Sequence, residues 1–116
     1  MKEHNRLLYV KEKRYQCYIK SFNRAVGRNG TRFLNLKIML DTPAGKIPIH
    51  HVFVENAGYN KKMRDFLIES EVLGKDGTIN FEGLINCWYE ADAYYDEDGK
   101  LRLDSFEFLG VDDGEE

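Results

Sequence analysis

Residues 33–40 read FLNLKIML, with Leu34, Leu36, Ile38 and Leu40 at every second position. Successive side chains of an extended chain point to opposite sides, so the four aliphatics share one face and Phe33, Asn35, Lys37 and Met39 share the other. A helix would scatter the same residues around its circumference. The segment is therefore expected to be a strand with one face in a core and one toward water. Upstream, Asn29-Gly30 is a strong hairpin signal, and residues 15–22 (YQCYIKSF) form the antiparallel partner. Strict alternation there puts Cys17, Ile19 and Ser21 on one side and Tyr18, Lys20 and Phe22 on the other.

The rest of the chain is punctuated in the same way. Residues 41–45 make a turn with Pro43 and Gly45, and residues 46–54 a third strand whose Pro48 fits a sheet edge or a bulge. One helical pattern follows, with Tyr59, Met63, Phe66, Leu67 and Ser70 on a common face, Asn56 or Asn60 as its cap and Gly74 as its end. Lys61 and Lys62 near its start, with Glu69 and Glu71 near its end, oppose the helix dipole at a few tenths to about 1 kcal/mol each. After a polar turn and a short apolar piece, residues 84–95 form a fourth strand. The turn at 96–99 leads to a fifth at 101–109. Trp88 and Tyr89 fall on opposite faces of the fourth strand, and the pattern leaves open which of them is core. The order β-β-β-α-β-β predicts a mainly β OB-fold, a five-stranded Greek-key barrel with one α-helix between strands 3 and 4. It covers residues 15–109, preceded by an N-terminal extension (1–14) and followed by an acidic C-terminal tail (110–116).

A chain of 116 residues, 42% of them apolar, supplies one modest core. Residues 1–14 contain only a four-residue apolar run, 7–10, so neither a signal peptide nor a membrane span is expected and the expected location is cytoplasmic. Cys17 and Cys87 lack zinc-type spacing and read as buried thiols. No nucleophile, base or metal-ligand motif surrounds Ser21, Ser70, Ser105 or the three histidines, so no catalysis and no cofactor is expected. The two Asp-Gly stretches around Gly77 and Gly99 miss the acidic residue at position 12 of an EF-hand loop and read as turns.

The formal net charge of −3 conceals a division. Residues 1–40 hold ten basic residues against Glu3 and Glu12, a balance of +8, and the remainder carries −11, four of it in residues 112–116. Such asymmetry points to a polyanion ligand held locally by the amino-terminal strands.

Cys17-Tyr18-Ile19, the basic Asn29-Gly30 hairpin, Phe33-Leu34-Asn35-Leu36, the amphipathic helix, Phe81-Glu82-Gly83-Leu84-Ile85 and the hairpin closing at Asp98-Gly99-Lys100 together resemble the small OB-fold single-stranded-DNA-binding proteins of bacteriophages and bacterial mobile elements. The resemblance implies a non-catalytic, largely sequence-independent single-stranded DNA binder acting in replication or recombination. In that family the strand crosses strands 2 and 3 between the 1-2 and 4-5 loops. RNA in place of DNA, a replication or recombination protein as partner, and a homo-oligomeric state remain open. The tail at 112–116 lacks the apolar terminal residues that bacterial single-strand-binding proteins carry.

Single-strand binding requires cations along a groove and flat side chains for stacking, at roughly 1 to 3 kcal/mol per base. The expected site takes Tyr18, Lys20 and Phe22 from strand 1, with Phe33, Asn35 and Lys37 from strand 2. Arg24, Arg28 and Arg32 come from the joining loop, His50 from strand 3, and Tyr94 and Lys100 from the 4-5 hairpin. Asp96, Glu97 and Asp98 beside these last two would repel phosphate. The competing expectation is an OB-fold protein-interaction module, accessory or inhibitory, in which the same aromatics bury a partner's apolar surface.

Overall fold

A computed structural model describes residues 10–55 and 61–112. The expected order is present: β1 (Arg14–Val26), β2 (Arg32–Thr42), β3 (Gly45–Glu55), α1 (Lys61–Glu69), a 3-10 turn (Phe81–Leu84), β4 (Cys87–Tyr95) and β5 (Leu101–Val111). The five strands form one antiparallel sheet in the order β3-β2-β1-β4-β5. β3 and β5 are its two edges, and no ladder joins them, so the sheet is open. β3 with its Pro48 does lie at an edge. Asn56, Tyr59 and Asn60, assigned above to the helix cap and face, lie outside the described residues, as do most of the N-terminal extension and the end of the tail. Among the described residues no helix is long and apolar enough to cross a membrane.

The alternation in β2 does what its spacing dictates. Leu34, Leu36, Ile38 and Leu40 are almost completely buried, and Cys17, Ile19, Leu84, Tyr89 and Ala91 join them. Met63, Phe66 and Leu67 bring α1 onto this inner face, with Phe66 stacked on Tyr89 at 5.1 Å between centroids. The Ser70 hydroxyl donates to the Phe66 carbonyl (2.8 Å) and accepts the Tyr89 hydroxyl (2.5 Å), so the fully buried Tyr89 phenol has its polar atom satisfied. Tyr89 is thus the core residue of the Trp88-Tyr89 pair.

β1 departs from strict alternation. Ile19 pairs with Ile38 but Ser21 pairs with Lys37, so Lys20 is an extra residue, a β-bulge. Beyond it the side-chain phase reverses. Phe22 lies opposite Leu36 and Arg24 opposite Leu34, on the inner side, and Ser21 is exposed. The expectation that Tyr18, Lys20 and Phe22 share a face is corrected for Phe22, which packs against the core and Phe81 (5.9 Å).

Element boundaries also differ. β1 runs on to Val26 and β2 starts at Arg32, so Arg24 and Arg32, expected in the joining loop, are strand residues. α1 ends at Glu69 rather than near Gly74, because Glu71 adopts the left-handed conformation (φ 64°) normally left to glycine. The Glu71 and Val72 amides then close on the Ile68 and Leu67 carbonyls (3.0 and 3.2 Å), a Schellman end with Val72 and Leu67 both buried. Two of the four charges that oppose the dipole have partners: Lys61 reaches Asp65 (2.7 Å), and Glu69 accepts the Phe108 amide (2.9 Å). β4 starts at Cys87, not at residue 84, because Asn80 caps the 3-10 turn and Asn86 takes φ 69° before the strand begins.

His50 and His51 face opposite sides of the sheet, as consecutive strand residues must. His51 points inward, edge-on to Phe53 (4.7 Å) and Phe106 (5.2 Å). Burial lowers its pKa from 6.5 to about 4; Asp104 on β5 opposes the shift, while Arg102 on β5 and Lys62 on α1 add to it. The unfolded chain therefore binds a proton that the folded chain refuses between these two values, and stability falls as pH drops through that window. The slope contributed by His51 should approach about 1.4 kcal/mol per pH unit. Chemical denaturation from neutrality down to about pH 4 should show this slope in the wild type and a flatter one in His51→Phe.

Candidate nucleic-acid interface

Antiparallel partners share a side, so the registers place the outer face residue by residue. One row crosses all five strands: Pro48, Met39, Tyr18, Trp88 and Gly110. On one flank His50, Lys37 and Ser21 form the next row, followed by Val52, Asn35 and Asn23, then by Val54, Phe33 and Ala25. On the other flank lie Lys46, Asp41, Gln16, Glu90 and Glu107. Both α1 and the 3-10 turn pack on the inner face, through Phe66 and Phe81.

The centre of the outer face is an aromatic pair. The Tyr18 and Trp88 rings lie 4.7 Å apart at 35°, both half-buried, and the Lys46 ammonium stands 5.1 Å from the Tyr18 centroid. Together with Met39 they make a flat, partly apolar platform flanked by Lys37 and His50. The platform has an acidic border. Beyond it Arg14 is shared among Asp92 (3.1 Å), Glu90 (3.3 Å) and Glu107 (3.4 Å), which leaves that end of the sheet net negative.

Of the expected residues, Tyr18, Phe33, Asn35, Lys37 and His50 are brought onto this one face, and Lys20 is the exposed residue of the bulge beside it. Phe22 is not, for the reason given above. Arg24 and Arg32 also fall on the inner side, at the turn end of the β1–β2 hairpin. Arg24 grips the Glu55 carboxylate through two nitrogens (3.0 to 3.4 Å) and lies over the Phe81 ring at 4.3 Å. Arg28 is exposed in the hairpin turn, where Asn29 accepts from the Thr31 amide and hydroxyl and Gly30 has φ 85°. The expected convergence of three arginines on the aromatic strand face is therefore corrected: the phase reversal at Lys20 turns Arg24 away. Tyr94 and Lys100 lie past Glu90 and Asp92, separated from the platform by the acidic border, and Tyr94 lines a cleft beside β5 instead.

Trp88 and Lys46 are the residues that the sequence pattern did not assign. Trp88 shares its parity in β4 with Glu90 and Asp92, whereas Tyr89 shares its own with Ala91 and Ala93. That contrast of charged against small apolar neighbours is the signal for which ring faces water. The Asp-Gly stretches are turns, as expected. Asp76 accepts from the Thr78 hydroxyl and amide (2.7 and 3.1 Å), and Asp96 accepts from the Asp98 and Lys100 amides and Arg102. The Arg102 guanidinium and those amides hold the Asp96 carboxyl below its ordinary pKa. Burial raises both thiols, Cys17 to about 12, so neither is a thiolate near neutrality. Among the described residues no three His, Cys, Asp or Glu side chains gather closely enough to hold a metal ion.

Arg24 has a structural job that Lys37 lacks, and the two can be separated. Arg24→Ala should cost about 1 kcal/mol of stability in thermal or chemical unfolding by freeing Glu55 and baring Phe81. Lys37→Ala, on the outer face, should leave stability within about 0.5 kcal/mol of wild type. No protein-family model matches the chain, and no curated protein matches it in sequence.

Proposed function

We propose that this protein is a non-catalytic, largely sequence-independent single-stranded nucleic-acid-binding protein, and that its ligand lies across the outer face of β3, β2 and β1 and stacks on Tyr18 and Trp88. The observation that carries the reading is the Tyr18-Trp88 platform with Lys46 over it and Lys37 and His50 beside it, on the face that α1 leaves free. Flat rings accept any base, and lysines at these positions follow a phosphate backbone without reading sequence. The Arg14 cluster limits the path to the β3 side of Trp88, because its surplus carboxylates repel phosphate.

The same proposal takes the sheet as an OB-type Greek-key barrel opened between β3 and β5. In its support, the strand order is the one such a barrel has when cut at that seam, α1 falls between β3 and β4, and His51 and Phe106 touch across the gap. Replication or recombination of a phage or mobile element is the setting that this reading implies, through the family that the sequence resembles.

One observation favours a second reading, a protein-interaction module. Leu109 and Val111 on β5 are 47% and 57% exposed, and with Trp88 and Gln16 they line a shallow depression at the edge of the same platform. A protein partner seated there would associate with little dependence on salt.

Trp88 is the single tryptophan, so its emission reports the platform directly. Titration with a dT oligonucleotide at about 50 mM salt should quench it. The logarithm of affinity should fall against the logarithm of salt with a slope of about −2, as expected when Lys20, Lys37 and Lys46 each neutralise one phosphate. Tyr18→Ala, followed by anisotropy of a labelled oligonucleotide, should weaken binding roughly five- to a hundredfold. Absence of binding at low salt, or binding that Tyr18→Ala leaves unchanged, would sink the proposal.

A further inference from the structure

The side of the molecule away from the platform carries a second concavity of a different chemistry. A cleft of about 330 Å³ opens along the seam where β3 and β5 fail to pair, walled on the third side by α1. Its floor is aromatic. Phe53 and Phe66 lie 5.1 Å apart, Phe66 meets Phe106 edge-on at 5.4 Å, and His51 meets Phe106 edge-on at 5.2 Å. Its rim is charged, with Asp65, Glu69 and Asp104 against Lys62. Among the described residues Glu69 and Asp104 form no ion pair. Glu69 accepts only the Phe108 amide and Asp104 only the amide of Ser105.

We propose that this cleft binds the side chain of an arginine presented by a protein partner. Ring faces carry the negative part of the aromatic quadrupole and attract a cation, and a guanidinium combines a flat surface for stacking with a fork for a carboxylate. His51 fits this purpose because its burial keeps it uncharged above about pH 4, so the ring adds surface without adding repulsion. The volume is at the low end of ligand pockets, sized for one side chain. The surplus of carboxylates excludes phosphate. The source is a protein because the cleft lies between β3 and β5, the two edges of the sheet, each laddered to one neighbouring strand only, where an extended segment finds main-chain partners beside the pocket. The inference does not rest on the nucleic-acid reading: the floor of the cleft is built from inner-face residues, and Tyr94 and Asp104 reach its rim from beyond the acidic border that closes off the platform.

The test uses a short glycine peptide with one central arginine, followed through backbone amide shifts on the full chain. Saturable shifts should centre on Phe53, Phe66 and residues 103–106, with Trp88 emission unchanged. The same peptide with citrulline, which is neutral at the same shape, should bind at least about fivefold more weakly. Two exposed substitutions should act in opposite directions: Asp104→Asn weakening the arginine peptide about three- to tenfold, Lys62→Gln tightening it by about twofold or more. Equal binding of arginine and citrulline peptides overturns the proposal, as does the lack of any effect from both substitutions, or shifts that lie away from the cleft. If N-acetyl-arginine amide binds as tightly as the peptide, the ligand is a free cation and the protein partner is rejected.

Discussion

β1 has to hydrogen-bond along both of its edges at once, and the fold is organised around that requirement. From Arg14 to Tyr18 it pairs with β4 on one side, while β2 follows it on the other from Gln16 to Val26. The hairpin β2–β3 and the hairpin β4–β5 are thus two local units, and β1 is what makes them one sheet. Its inward residues Tyr15, Cys17 and Ile19 are all buried, Cys17 and Ile19 completely, and Tyr89 lies directly opposite Cys17. The Asn86 amide donates to the Ile19 carbonyl (2.9 Å) at the point where β4 leaves, and the bulge at Lys20 follows immediately. Beyond that point β1 serves β2 alone.

The division of charge along the chain becomes a division in space, though not the one that the order of residues implies. Lysines 37 and 46 reach the platform, whereas arginines 24 and 32 go to the inner side and Arg14 is spent on three carboxylates. The net basic balance of the first 40 residues therefore overstates what is available to a polyanion on one face. The acidic remainder is also not uniform. Asp96 and Asp76 are tied into turns, and the carboxylates without ion-pair partners around the seam are those that give the second cleft its character.

Local alternation made much of the fold legible. In β2, where each residue keeps its side, the four buried aliphatics and the outward Phe33, Asn35 and Lys37 were readable directly. The strand order and the single helix followed from turn chemistry and from the period of Met63, Phe66 and Leu67. Three things were not legible, each for a physical reason. A bulge leaves no mark in a β-prone stretch such as CYIKSF, because every residue there is acceptable on either side, so strict alternation puts Phe22 on the wrong face and stops the strand short of Arg24. Glu71 does the work of a glycine at the helix end, and no propensity anticipates that. The gap between β3 and β5 depends on accumulated twist over the whole sheet, a sum that no short window contains.

The bulge at Lys20 carries one more consequence, which concerns lengths rather than contacts. Because Lys20 is the surplus residue, the strand before it and the strand after it are each in step with β2, and only the count between them is odd. Loss of that single residue would leave Ile19 facing in, Ser21 out and Phe22 in, with the ladder regular and no side chain reversed. Gain of one residue anywhere else in β1 would exchange the two faces from that position onward. β1 can therefore absorb a change of length at one place only, and what it would lose there is the bend, not the pattern.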